Sequence, residues 1–216
     1  MYKSILHKER LTNISLFKEQ YDEIYYQIPA TAGHWPILGG IKMDMNNNDI
    51  LIRLRYALDI KDTDMVKIFK LGGIEVTTDE VRKLLTKTKD SYEENLGPNN
   101  GLDKAYIPCD NYMLESFLNG LIVYKRGEQE TNPGQSERPP MMMKNNDSVN
   151  NVLLKKLKIA LSLNSEDMID ILEDAEVIIT KGELSALLRK EGHRNYRECG
   201  DRYARNFLKG LGMRYR

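Results

Sequence analysis

The chain carries an internal duplication, and this feature limits its fold more than any other. The stretch NNDILIRLRYALDIKDTDMVKIFKLGGIEVTTDEVRKLLTK, from Asn47, aligns without a gap with NNVLLKKLKIALSLNSEDMIDILEDAEVIITKGELSALLRK, from Asn150. Further on, YIPCDNYMLESFLNGL from Tyr106 matches YRECGDRYARNFLKGL from Tyr196. A feature that both copies share is expected to serve the fold, whereas a feature of one copy only is free to serve a function.

The two matches differ in offset, 103 residues for the first and 90 for the second, so the first copy contains an insertion. It falls within TKDSYEENLGPNNGLDKA, whose Gly, Pro and Asn content predicts an exposed loop. Residues 127–147 are rich in Pro, Gly and polar residues and predict a linker, with Met141 to Met143 anchored on the core of the second copy. The predicted organisation is therefore a first helical copy over 45–126, this linker, and a second helical copy over 148–216.

The first 44 residues have no counterpart in the duplication, and two interpretations stay open. In one, residues 1–44 are an N-terminal extension with a helix, in which Phe17, Tyr21 and Ile24 share a face and dock on the copies. In the other, the segment follows from an upstream start codon, and Met45 is the natural first residue.

Apolar periodicity predicts two helices in the first half of each copy. The first is amphipathic in both copies, with Leu51, Leu54 and Leu58 on one face of the first copy. The second is short and is predicted to be capped by Asp62 in one copy and Ser165 in the other. A Gly72-Gly73 stop ends it in the first copy only, since the second copy has Ala-Glu at those positions.

Two further helices follow in each copy. The third is introduced by the capping-box pattern Thr-x-x-Glu, at Thr77 and Thr180, in which the threonine and glutamate side chains satisfy free backbone amides of the first turn. The fourth contains Phe-Leu and then Gly120 or Gly210, which are predicted to allow close contact between helices. No convincing alternation of period two appears, so the predicted fold is all-α, with two tandem units of about four helices each.

Composition excludes several classes of protein. The formal net charge is zero, and no apolar run approaches the roughly 18 residues that a membrane span needs. The first residues have no apolar segment of signal-peptide type, which favours a cytoplasmic protein. Two cysteines do not make a disulfide framework, and three widely separated histidines do not suggest a metal site. We therefore expect no membrane, metal or cofactor among the partners.

Three segments together resemble a known family. They are the NNDILIRLRYAL start, the ELSALLRKEGHRNYRECGD segment and the FLKGL ending. The chain from about Met45 to Arg216 is similar to the YehS-like bacterial family, domain of unknown function 1456, and departs from it in the N-terminal extension and in the longer loop of the first copy. The resemblance implies a small cytoplasmic bacterial protein made of two related units, and it implies no activity and no catalytic residue.

A thiol or hydrolytic enzyme is one alternative that the residues allow. Cys199 and His193 could serve as nucleophile and base if their side chains converged. Cys199 recurs as Cys109, however, and neither thiol has a histidine that is shared between the copies. We therefore predict that the cysteines are structural and that the protein is not an enzyme.

The last 36 residues are strongly basic, with ten Lys and Arg against four Asp and Glu. On a helix, Arg202, Arg205 and Lys209 form one stripe, whereas the first copy has Tyr, Glu and Asn at those positions. Because the stripe belongs to one copy, it is the best functional candidate. The predicted anion-binding set consists of the stripe and the basic residues before it: Arg189, Lys190, Arg194, Arg197, Arg202, Arg205 and Lys209.

We predict from this set that the second copy binds nucleic acid, either DNA or RNA. Two other interpretations remain. The basic residues could be solvated or paired with the acidic segment Glu166 to Glu176 of the same copy. The protein could also be an interaction module that self-associates when the acidic segment of one molecule meets the basic end of another.

Overall fold

The computed structural model describes residues 45–86, 106–127 and 141–216, and all regular structure in these ranges is helical. Predictions for residues 1–44, for the inserted loop and for residues 128–140 of the linker lie outside the described residues. The all-α prediction is confirmed, with four helices in each copy. In chain order they are α1 (Asn47–Ala57), α2 (Asp62–Leu71), α3 (Thr78–Leu84), α4 (Asn111–Arg126), α5 (Val149–Ala160), α6 (Ser165–Asp174), α7 (Lys181–Leu187) and α8 (Asp201–Tyr215).

The predicted caps of the second helix are wrong by one residue in both copies. In the second copy the N-cap is Asn164, whose side chain accepts from the amide of Asp167, while the Asp167 carboxylate accepts from the amide of Asn164. Ser165 is already helical. In the first copy Lys61 occupies the N-cap without a side-chain bond, and Asp62 is the first residue of α2. An acidic residue in that first turn is still stabilised by the helix dipole.

The capping boxes of the third helix are confirmed in both copies. The hydroxyls of Thr77 and Thr180 each accept from the amide three residues on, at 3.2 Å, and the glutamates return the bond to the cap amides. The helix stop, in contrast, is shared after all. Gly73 has a φ of 87°, and its counterpart Glu176 adopts the same left-handed region with a φ of 62°. The backbone geometry therefore recurs where the glycine does not.

Within each copy the fourth helix packs against the second, α4 on α2 and α8 on α6. Gly120 and Gly210 make this possible, as predicted. A Cβ on Gly120 would stand 1.8 Å from the carbonyl oxygen of Ile68, and one on Gly210 would stand 2.0 Å from that of Ile171. Both values are far below van der Waals contact, so only glycine permits these two helix pairs.

Between the copies, the fourth helix of each packs on the first helix of the other. Helix α4 lies against α5, and α8 lies against α1. The apolar residues of both copies form one continuous core, which includes Met143 but not the exposed Met141 and Met142. Of the predicted anchor Met141 to Met143, only Met143 is therefore buried in the core. No described helix is both long enough and apolar enough to cross a membrane.

Candidate functional site

Two basic residues near the end of the chain form ion pairs with acidic residues of their own copy. Lys181 pairs with Glu166, with Nζ 2.6 Å from Oε1. Arg214 lies 3.9 Å from Asp170 and 3.7 Å from Asp174. These two cations pair with the acidic segment of the same copy, and neither belongs to the predicted anion-binding set.

Four members of the predicted set lie on the α7–α8 loop, residues 188–200, part of which folds back on itself. The amide of Arg197 donates to the carbonyl of Ala186, in the last turn of α7, at 3.2 Å. Inside this closure the amide of His193 donates to Lys190, and that of Tyr196 donates to His193. These bonds fix the course of the loop backbone although the loop has no strand or helix of its own.

A buried asparagine in α5 fixes this loop. The Asn151 amide group donates to the carbonyls of Leu187 and Arg197, at 2.8 Å each. Its oxygen accepts from the Cys199 amide at 2.9 Å and from the Tyr196 hydroxyl at 3.1 Å. The side chain thus fills its hydrogen-bonding capacity in a site that is 1% exposed.

The first copy contains the same anchor. Asn48 donates to Leu84 and Ile107 and accepts from Cys109 and Tyr106, all at 2.8 to 2.9 Å. Sequence reasoning missed this role, although the recurrence of the asparagine was visible. Tyrosine, cysteine and asparagine recur together because they form one anchor.

The basic side chains of the loop differ in their exposure to solvent. Lys190 and Arg194 are exposed, and in the described part of the chain no carboxylate lies within ion-pair distance of either. Arg197 is also exposed, and its guanidinium approaches Glu183 only to 3.9 Å. Arg189 is half-buried, with Nη1 3.2 Å from Nδ1 of His193.

The predicted stripe on α8 is not uniformly exposed. Arg202, in the first turn, is exposed, and no described carboxylate lies within ion-pair distance of it. Arg205 and Lys209 are half-buried. Arg205 lies 3.5 Å from the carboxylate of Asp201, which also accepts from the amide of Met45 at the start of the first copy. Arg202 is therefore the only residue of the stripe that is exposed rather than half-buried.

One cation near the loop escaped the sequence reasoning. Lys155 on α5 is half-buried, and its Nζ donates to the carbonyl of Arg189 at 2.6 Å. Burial lowers its pKa, an effect that the nearby Glu191 partly opposes. Its counterpart is Ile52, so Lys155 belongs to one copy only, and that difference was the available signal.

The thiol and the histidine of the enzyme alternative are in different environments. Cys199 is 1% exposed, and burial raises its pKa to about 12, so the thiol keeps its proton at neutral pH. His193 is exposed, and its Nδ1 accepts from the amide of Asn195 at 3.2 Å. No hydrogen bond joins the two described side chains. The geometry therefore offers no activated nucleophile at this position.

Among the described residues, no group of three or more His, Cys, Asp or Glu side chains could hold a metal ion.

Comparison with known proteins gives the family. The model of a protein family of unknown function, DUF1456, matches residues 47–127 and 150–216. The chain belongs to the DUF1456 family. Its two matched segments coincide with the two copies, as expected for a family built on tandem units. A relative, the uncharacterized protein YehS of Escherichia coli (strain K12), is 36% identical over 170 residues, which cover 79% of this chain and 96% of the relative. No solved structure matches the chain.

Proposed function

We propose that the protein is a non-catalytic nucleic-acid-binding protein whose contact surface lies on the second copy. The basic surface consists of Arg189, Lys190, Arg194, Arg197 and Arg202. The observation that carries the proposal is the exposure of Lys190, Arg194 and Arg202 without a carboxylate at ion-pair distance in the described ranges. Exposed cations held on an anchored framework are suited to phosphates, which repeat along a nucleic-acid backbone.

The binding mode is contact with the phosphate backbone rather than with bases. Tyr196, the tyrosine of the loop, is half-buried, and its hydroxyl is bonded to the buried Asn151, so it belongs to the anchor rather than to an exposed stacking surface. Long, exposed Lys and Arg side chains contact phosphates without reading sequence. We therefore expect strong salt dependence and no sequence preference.

The test is fluorescence anisotropy with labelled single- and double-stranded DNA and RNA of mixed sequence, titrated with salt. The variant Lys190→Glu/Arg194→Glu/Arg202→Glu reverses the three exposed charges. Neutralisation of three phosphates on duplex DNA gives a log–log salt slope of roughly −3 for the wild type. The proposal predicts that slope or a steeper one, and its loss in the variant.

A matched control makes the same change of net charge in the first copy. Lys61, Lys70 and Lys125 are exposed, and Lys61→Glu/Lys70→Glu/Lys125→Glu should retain most of the binding. Equal losses in the two triple variants would show that net charge alone matters, and the site would be rejected. Absence of wild-type binding at low salt would reject nucleic-acid binding altogether.

The alternative is a self-associating interaction module, and the contacts support it less. The acidic segment that would meet the basic end of a second molecule already pairs with Lys181 and Arg214 of its own chain. Light scattering at low salt, without nucleic acid, distinguishes the two proposals. A salt-sensitive dimer that the Lys190→Glu/Arg194→Glu/Arg202→Glu variant abolishes would favour the module.

A further inference from the structure

The contacts between the two copies are reciprocal. The α4–α5 and α8–α1 junctions join corresponding helices of opposite copies. Even their outer contacts correspond, because two arginines at corresponding positions, one at the end of α4 and one directly after α8, reach the same position of the other copy. Arg126 donates to the carbonyl of Ile159 at 3.4 Å, and Arg216 lies 3.9 Å above the ring of Tyr56, the counterpart of Ile159. The chain is thus built like a dimer whose two protomers have been joined.

The α4–α5 junction contains a buried ion pair. Glu115 of α4 is 0% exposed and lies 3.2 Å from Nζ of Lys156 on α5, which also bonds Asn119. The same carboxylate accepts from the amides of Met142 and Met143, at 2.7 to 2.8 Å, where the chain enters the second copy. Lys156 therefore depends on a carboxylate that only the first copy supplies.

The α8–α1 junction has different residues at the corresponding positions. On α1, the half-buried Arg53 stands where α5 has the buried Lys156. The alignment places Arg205 where the first copy has Glu115, and Lys209 where it has Asn119. If two second copies paired through the same surfaces, each buried Lys156 would face Arg205 and Lys209 in place of a carboxylate. An ammonium group that is buried without a counterion and beside like charges is strongly disfavoured.

We infer that the α4 face of the first copy is a docking surface specific for α5 of the second copy. The Glu115–Lys156 pair selects this partner, and like charges prevent the second copy from pairing with itself.

The test keeps the whole chain and cuts it after folding. A recognition site for a sequence-specific protease replaces residues 131–137, between the copies. After cleavage, native mass spectrometry should find the two fragments as a one-to-one complex. The cleaved protein is then unfolded in urea and renatured as a mixture. Complexes of unlike fragments should return, and pairs of second-copy fragments should be absent.

Lys156→Met removes the buried charge and keeps the length of the side chain. In this variant, pairs of second-copy fragments should rise at least about tenfold, because the like-charge conflict has gone. The matched control is Lys181→Met, which breaks the exposed pair with Glu166 and should leave the pairing unchanged. A statistical mixture of all pairings in the wild type, fragments that separate as folded monomers, or a Lys156→Met mixture without second-copy pairs would each overturn the inference.

Discussion

The buried asparagine anchor makes the sharpest prediction about stability. Asn151→Leu replaces the amide with an apolar group of similar size, which keeps water out and leaves four hydrogen-bonding groups without their partner. Two of the four bonds, to the carbonyl of Leu187 and from the amide of Cys199, are fully buried. A buried group left unsatisfied costs about 1–3 kcal/mol. The bonds with Arg197 and Tyr196 are partly buried, so water can replace them in part.

These contributions sum to a loss of roughly 3–5 kcal/mol in the free energy of unfolding, a large share of the roughly 5–15 kcal/mol of a typical domain. Urea denaturation followed by far-ultraviolet circular dichroism measures the loss. Tyr196→Phe removes a single partly buried bond and should cost about 1 kcal/mol. Asn48→Leu should cost the same as Asn151→Leu, since the first copy has the same four bonds.

A loss below about 1 kcal/mol for Asn151→Leu would refute the assignment of the asparagine as an anchor. A large loss for Asn151→Leu with a negligible loss for Asn48→Leu would refute a different inference, namely that a residue shared by the two copies serves the fold equally in both.

Three further predictions concern caps, helix contact and the thiols. Thr180→Ala should lower the free energy of unfolding by about 1 kcal/mol in urea denaturation, because it removes the capping hydroxyl. Gly210→Ala should cost at least the roughly 1–3 kcal/mol of overpacking, because its Cβ would stand 2.0 Å from a backbone oxygen of α6, whereas Gly182→Ala, with no neighbour nearer than 3.9 Å, should cost nothing. Burial raises the pKa of Cys109 and Cys199 from 9.0 to about 12, so the folded state holds protons that the unfolded state releases above pH about 9. Stability should therefore be unaffected by these thiols below pH 9 and should fall between pH 9 and 12, and a thiol reagent at pH 8 should label the native protein far more slowly than the urea-unfolded protein.

Helix content and the contact of the fourth helix were predictable, because both depend on local pattern. Apolar residues at helical spacing identify the buried face, and a glycine followed by leucine in both copies marks a close approach. The cap of α6 was missed by one position because Asn164 and Ser165 are adjacent and both suit an N-cap. Only the backbone conformation distinguishes them.

The anchor and the junctions were not predictable in the same way. The partners of Asn151 lie 36 to 48 residues further along the chain, and no local pattern brings them together. Periodicity likewise shows which face of a helix is apolar but not which helix covers it. The packing of α4 on α5, across the boundary between copies, therefore appears only in three dimensions.

The junctions also limit how far a difference between the copies can be taken as a sign of function. Glu115 and Lys156 belong to one copy each, yet both are buried and hold the copies together. Two copies that pack face to face need complementary residues, so divergence at their junctions follows from packing as readily as from activity. Arg205 and Lys209 occupy the positions that correspond to Glu115 and Asn119 at the other junction and are half-buried, so they are less available to a ligand than exposed residues are. Lys190, Arg194 and Arg202 do not correspond to residues of the Glu115 junction, and they are exposed. Charge reversal at those three residues should therefore weaken nucleic-acid binding more than charge reversal at Arg205 and Lys209, although the sequence favoured the stripe to which Arg205 and Lys209 belong.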